Sequence, residues 1–165
     1  MKHLFLLFII FSFSFSNDFD IEIPEEFNRL QYESGENIFD NKCSSCHVKY
    51  MEINKTVQNF FRNENSLNLK APTANQISYR LKLRIGSKED IEFHLHETND
   101  FLQSFLMNPD RSKTICLEQV IRYFDTMPSL KGVVNQKEIE DLNHFIYFLE
   151  GFNGINEFFH DETIF

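Results

Sequence analysis

Five consecutive residues, Cys43-Ser44-Ser45-Cys46-His47, constrain this chain more than any other stretch. Two thiols separated by two residues can reach the two vinyl groups on one porphyrin edge. A histidine directly after the second cysteine is then held under the iron. This is the spacing of covalent c-type haem attachment. A bare Cys-x-x-Cys also suits half of a zinc site or a redox dithiol. The adjacent His47 and the secretory start of the chain weigh towards one haem c per chain, with Cys43 and Cys46 as attachment points and His47 as the proximal iron ligand.

Residues 1–16 read as an export signal. Lys2 gives a weakly positive start, Leu4 to Phe11 is unbroken apolar sequence, and Ser14 and Ser16 fit the small-residue pattern before a cleavage site. The apolar run is short for a membrane span, although an uncleaved tether is an alternative reading. Residues 17–165 are then expected as one domain in the periplasm, where haem c is attached. The chain carries a net charge of −9, and removal of Lys2 makes it −10. Such acidity disfavours nucleic acid and suits a partner with a basic surface.

Three cysteines are present, so Cys116 is left over from the motif. It reads as a buried, inert thiol, with intermolecular pairing or redox sensitivity as alternatives.

Hydrophobic periodicity gives a mainly helical chain. Pro24 interrupts an irregular acidic start over 17–33. Ser34 is a candidate N-cap for a helix over 35–46, with Ile38 and Phe39 on its apolar face. Residues 48–76 read as loop with short helical pieces. Ile77, Tyr79, Leu81, Leu83 and Ile85 alternate as in a strand, but a lone strand has no partner, so helix or extended loop is expected. Gly86 should stop it. A helix resumes near Lys88 and ends at Asn108-Pro109. Leu117, Val120, Ile121 and Phe124 predict a helix over 114–124. Asn135 and Glu138 have capping-box spacing, and Ile139, Leu142, Phe145, Ile146 and Leu149 form the stripe of a last helix, with Gly151 as its stop.

The sixth iron ligand must come from elsewhere. Met51 follows His47 too closely for the chain to wrap round the porphyrin edge. Met107 lies on a helical face and reads as core filler. Met127 follows a helix and is stiffened by Pro128, so it is the favoured ligand. His94, His96, His144 and His160 are the competing ligands, with His144 expected at the surface or as a cap. An open sixth position is the remaining alternative.

In order along the chain, Gly35-Glu36-Asn37-Ile38-Phe39, the Cys43–His47 motif, Asn108-Pro109, Met127-Pro128-Ser129-Leu130 and a final helix bearing Tyr147 and Leu149 resemble a class I c-type cytochrome. The resemblance implies an all-α, cytochrome c-like domain around one covalently bound haem. It implies thioether bonds at Cys43 and Cys46, iron ligation by His47 and Met127, and a carbonyl from Pro72 to the proximal histidine. It also implies that the first and last helices pack crosswise, Ile38 and Phe39 against Phe145, Ile146 and Leu149. The function implied is one-electron transfer in the periplasm, without catalysis, to redox proteins that include membrane-associated respiratory complexes, by a monomer or weak oligomer. A haem subunit of an oxidoreductase complex and a ligand-binding haem sensor are the alternatives. Two departures stand out. His47 and Met127 are 80 residues apart, which enlarges the 48–100 segment, and the chain has no tryptophan. Tyr79 and Arg80 lie where a propionate partner would be sought.

Overall fold

The structure, a computed structural model, describes residues 24–62 and 64–149. Among these residues the chain is all-α. It has no strand, only an isolated bridge between Lys131 and Val134. The helices are α1 (Arg29–Lys42), α2 (Ile53–Val57), α3 (Ala74–Arg84), α4 (Ile91–Met107), α5 (Glu118–Ile121) and α6 (Gln136–Phe148). A π-helical turn at Gln58–Arg62 continues α2, and a 3₁₀ turn occupies Arg111–Lys113. No helix among the described residues is long and apolar enough to cross a membrane.

Helix α6 is the hub. Asn135 caps it, accepting from the Glu138 N–H at 3.0 Å while Glu138 Oε2 accepts from the Asn135 N–H at 2.9 Å. The sequence signature of this start is a reciprocal capping box. Ile139, Leu142, Phe145 and Ile146 are buried as the apolar stripe requires, but Asn143, His144, Tyr147 and Phe148 on other sides are buried too. A helix covered all round needs neighbours on several sides, and α1, α3 and α4 each pack on α6. Gly151 lies outside the described residues, so the expected stop is not among them.

The α1–α6 crossing depends on Gly35. A Cβ built there would lie 2.0 Å from the Asp141 carbonyl oxygen and 2.7 Å from Phe145 Cβ. Only hydrogen fits, so the two backbones meet at this point. Phe39 then reaches Phe145 with ring centroids 5.5 Å apart, and Tyr32 meets the same ring edge-on at 5.2 Å. Ile38 is half-buried. Polar contacts border the crossing: Ser34 Oγ donates to Asp141 Oδ2 at 2.8 Å, and Lys42 pairs with Glu138 at 2.6 Å.

Three local expectations are corrected. Helix α1 begins at Arg29, not after Ser34, because Asn28 is its cap and accepts from the Gln31 N–H. The hydroxyl of Ser34 is instead committed to Asp141. Residues 29–33 are therefore helical rather than irregular. The helix expected over 114–124 shrinks to Glu118–Ile121, with the chain held irregularly on either side.

The alternating run near residue 80 is helical. Ala74, Ser78 and Leu81, spaced i, i+4 and i+7, are its buried face, and Leu83 is exposed. Gln76 Oε1 accepts from the Thr73 N–H at 2.9 Å at its start, and Gly86, with φ +58°, takes the left-handed turn at its end. Asp90 caps α4, accepting from the Phe93 N–H at 2.8 Å, and Asn108 closes it.

A second, smaller apolar cluster lies apart from α6. Phe60, Val120 and Phe124 are its buried members, and Leu69, Leu117 and Tyr123 pack on it. This cluster joins the Phe60–Leu69 stretch to residues 117–124 in a small core of their own.

Candidate functional site

The Cys43–His47 motif forms a tight turn at the C-terminal end of α1. Cys43 N–H donates to the Phe39 carbonyl at 2.8 Å as the last helical bond, and the Cys46 and His47 N–H groups both donate to the Cys43 carbonyl, at 3.1 and 2.9 Å. The motif therefore lies outside the regular helix, four residues past Phe39, with its first thiol turned towards the main core. Cys43 is half-buried and borders that core, whereas Cys46 is exposed. Both thiols are free. Burial is the main cause that pushes the Cys43 thiol up to about 11, with Lys42 opposing it.

His47 Nδ1 lies 2.8 Å from the Pro72 carbonyl oxygen. A carbonyl only accepts, so Nδ1 carries the proton and Nε2 keeps its lone pair. Burial lowers the His47 pKa, and the Pro72 bond partly offsets this. The neutral imidazole with Nε2 free is the form that binds iron, and the carbonyl on its far side fixes the ring.

The start of α3 holds this pair in register. Ala74 N–H donates to the Val48 carbonyl at 2.8 Å, and Asn75 N–H to the Lys49 carbonyl at 3.2 Å. The buried Asn75 side chain accepts from the Met51 N–H at 3.2 Å and donates to the Met51 carbonyl at 2.8 Å. Residues 48–51 are thus clamped along 72–75, which carries Pro72 beneath His47. Sequence reasoning missed Asn75, which lies in a segment read as loop. The Thr73-to-Gln76 spacing was the available sign that a helix starts there.

Met127 is half-buried and packs on the same core as Cys43. Its loop is tied at both ends. Arg111 donates to the Phe124 and Ile121 carbonyls at 2.8 and 3.0 Å. Ser129 Oγ donates to the Met107 carbonyl at 2.7 Å, and Leu130 N–H to the Leu106 carbonyl at 2.8 Å. Met107 is also half-buried on that core, at the last position of α4. Met51 has its backbone committed to Asn75.

The histidines are largely engaged elsewhere. His94 is buried, with Nδ1 2.9 Å from the Tyr147 hydroxyl and Nε2 2.8 Å from the Ile85 carbonyl, so both ring nitrogens are used. His144, expected at the surface or as a cap, is buried: its Nε2 accepts from the Asn28 N–H at 2.9 Å, and its ring lies between Phe27 and Phe148. His96 is exposed and 3.4 Å from Asp100. His160 lies outside the described residues. Arg80 donates to the Ile115 carbonyl at 2.8 Å and sits near Cys116. Burial pushes the Cys116 thiol up to about 11, which makes it a poor nucleophile and suits an inert packing role.

These residues fit a c-type haem on chemical grounds. Cys43 and the half-buried apolar side chains of Ile77, Met107, Ile115 and Met127 border one core, while the second free thiol, Cys46, is exposed and His47 keeps one ring nitrogen free. No group of three or more His, Cys, Asp or Glu converges among the described residues, as a closed protein cage for zinc needs. Haem asks less of the chain, because its equatorial donors come from the porphyrin.

No protein-family model matches the chain, and no solved structure does. It is similar to a protein of Aquifex aeolicus (strain VF5) described as an uncharacterized protein. The two are 25% identical over 118 residues, which cover 70% of this chain and 72% of the relative.

Proposed function

We propose that the chain is a c-type cytochrome of the class I kind, a periplasmic one-electron carrier with one haem c. Cys43 and Cys46 would attach the haem, and His47 and Met127 would ligate its iron. The observation that carries this reading is the bond from His47 Nδ1 to the Pro72 carbonyl, made by the histidine of a Cys-x-x-Cys-His motif. A redox dithiol reading fits less well, since such sites pull a thiol down and Cys43 is pushed up.

The haem, when bound, supplies reversible one-electron chemistry at iron. The chain does the rest. Pro72 holds the His47 tautomer, so Nε2 is presented without a proton rearrangement. The Arg111, Ser129 and Leu130 bonds restrain the Met127 loop, which would hold its thioether in one place. The apolar side chains around Met127 exclude water, and a methionine ligand raises the potential relative to a second histidine. The net charge of −9 favours encounter with a basic redox partner.

The test is chemical. The exported holoprotein is denatured and extracted with acidified organic solvent. Haem should stay on the polypeptide, and complete release sinks the proposal. Met127→Ala should then abolish the weak long-wavelength band of methionine ligation and lower the reduction potential, while Met107→Leu leaves both unchanged. The reverse pattern would move the ligand to Met107.

A haem subunit of an oxidoreductase complex is the second reading. It is favoured by the extra cluster at Phe60 and by exposed Leu67 on the loop beside it. A stable stoichiometric complex on purification would select it.

A further inference from the structure

The peptide unit that joins Pro72 to Thr73 is held at both ends. Its carbonyl oxygen accepts from His47 Nδ1 at 2.8 Å, and its N–H donates to Gln76 Oε1 at 2.9 Å. The unit is planar and trans, so its C=O and N–H point in opposite directions. An anchor on one end therefore aims the other. Thr73 is the N-cap of α3, extended with φ −71° and ψ 154°, where the helix itself offers its N–H no partner. The Thr73 side chain adds a second restraint. It is fully buried, and its hydroxyl donates to Asn75 Oδ1 at 2.6 Å. Asn75 in turn holds the N–H and the carbonyl of Met51. Asn75 thus fixes the chain that follows the histidine, and Gln76 fixes the direction of the carbonyl that meets it.

We propose that Gln76 is a positioning residue for His47. In a capping box the side chain at the third helical position ordinarily serves its own helix. Here the N–H it captures belongs to the peptide whose oxygen His47 uses, so one side chain both closes α3 and aims the Pro72 carbonyl. Linked hydrogen bonds polarise one another, so the Gln76 contact also makes that oxygen the stronger acceptor. A firmer bond at Nδ1 makes the opposite nitrogen, Nε2, the better donor to a metal. The last consequence rests on the proposed haem function: a more basic Nε2 favours ferric over ferrous iron, so Gln76 would lower the reduction potential.

Two variants test this in the full-length protein. Gln76→Met keeps the side-chain length without the acceptor, and Gln76→Glu restores an acceptor that is stronger than the amide. The first readout is the His47 Nδ1 proton, followed by nitrogen-edited NMR in the reduced state. Gln76→Met should move its resonance upfield and speed its exchange with solvent about fivefold, the factor set by loss of one ordinary hydrogen bond. Gln76→Glu should move the resonance downfield of the parent and keep exchange slow. The second readout is the potential, which Gln76→Met should raise. The glutamate variant is judged by the proton alone, because its charge lowers the potential by itself. Were Gln76 only a helix cap, Gln76→Met would lower the unfolding midpoint and leave the Nδ1 proton and the potential at their parent values. That result overturns the proposal. So does an unmoved resonance in Gln76→Glu, which decides the matter even where the methionine variant does not fold. A chain found to carry no haem would sink the proposed function and remove the potential, while the Nδ1 proton still decides the role of Gln76.

Discussion

The core around α6 and the smaller cluster around Phe60 are both apolar, but different forces organise them. Around α6, three helices meet one helix, and the contacts are side chain to side chain across long sequence separations. Around Phe60, the chain is organised by asparagines. Asn59 is buried, donates to Asn65 Oδ1 at 3.0 Å and accepts from the Leu67 N–H at 2.9 Å. Asn65 in turn donates to the Leu69 carbonyl at 2.9 Å and accepts from its N–H at 3.1 Å. Glu64, Asn65 and Asn68 all adopt positive φ, a conformation asparagine tolerates better than most residues. Helices already pair their own backbone groups, so the α6 core can devote its side chains to packing. An irregular loop cannot, so it uses polar side chains to satisfy its backbone and buries fewer apolar ones. The first region should therefore set global stability, and the second should open locally.

Two aromatic truncations test that division at its strongest. Phe145 is fully buried at the α1–α6 crossing, and Phe60 is fully buried in the smaller cluster. Either change to alanine should cost on the order of 3–5 kcal/mol at its own site. Phe145→Ala should lower the global unfolding midpoint by that full amount. Phe60→Ala should appear mainly as faster hydrogen exchange over 58–69 and 117–124, with a smaller change in the global midpoint. Equal global losses would show one cooperative core instead of two.

Gly35→Ala comes next. Alanine is better than glycine inside a helix by about 1 kcal/mol. Against that, the new Cβ would stand 2.0 Å from the Asp141 carbonyl, a backbone atom that cannot swing aside. Overpacking costs typically about 1–3 kcal/mol, so the clash wins and the variant is destabilised. A more stable variant would mean that the helices can separate freely and that the crossing does not constrain residue 35. Asn59→Ala should cost less, about 1–2 kcal/mol, seen as exchange protection lost at Leu67 with the α6 core unaffected.

How legible these regions were in sequence follows the same division. Helix α6 announces itself, because Asn135 and Glu138 mark its start and five apolar residues repeat at helical spacing. Helix α3 does not, since Ile77, Tyr79, Leu81, Leu83 and Ile85 alternate while its buried face is built on the small residues Ala74 and Ser78. Helix α1 starts earlier than Ser34 suggests, because Asn28 supplies the cap and the Ser34 hydroxyl is committed to Asp141 across the crossing. The asparagine network left no periodic pattern at all, only an excess of Asn. At the candidate site, Cys43, Cys46 and His47 are contiguous and speak for themselves. The Pro72 partner lies 25 residues away from His47 and was expected through the family resemblance, and the observed contact is at 2.8 Å. The Asn75 clamp depends on tertiary contact, and spacing alone does not expose it. The burial of His144 was missed because histidine is ambivalent and its partner, the Asn28 N–H, belongs to the other end of the chain.

That histidine gives the last and smallest test. Burial lowers the pKa of His144 and likewise that of His94, while the nearby carboxylates of Asp141 and Glu97 partly offset this. Their folded-state values therefore lie below the ordinary value of 6.5. The unfolded chain binds the proton first as pH falls, so the stabilising contribution is complete above 6.5 and is lost as pH drops from there towards the folded values. For His144 the reason is specific, because Nε2 accepts from the Asn28 N–H and a protonated ring has no acceptor to offer. No histidine lies within 58–69 or 117–124. Acidification from pH 7 to about 5.5, still above most carboxylate values, should thus loosen α1 against α6 and leave exchange at 58–69 unchanged. His144→Gln keeps an acceptor without a titration in this range, so its unfolding midpoint should vary less with pH than that of the parent chain. An identical slope in the two proteins would remove His144 as the acid-sensitive contact, and faster exchange over 58–69 at pH 5.5 would erase the boundary between the two regions.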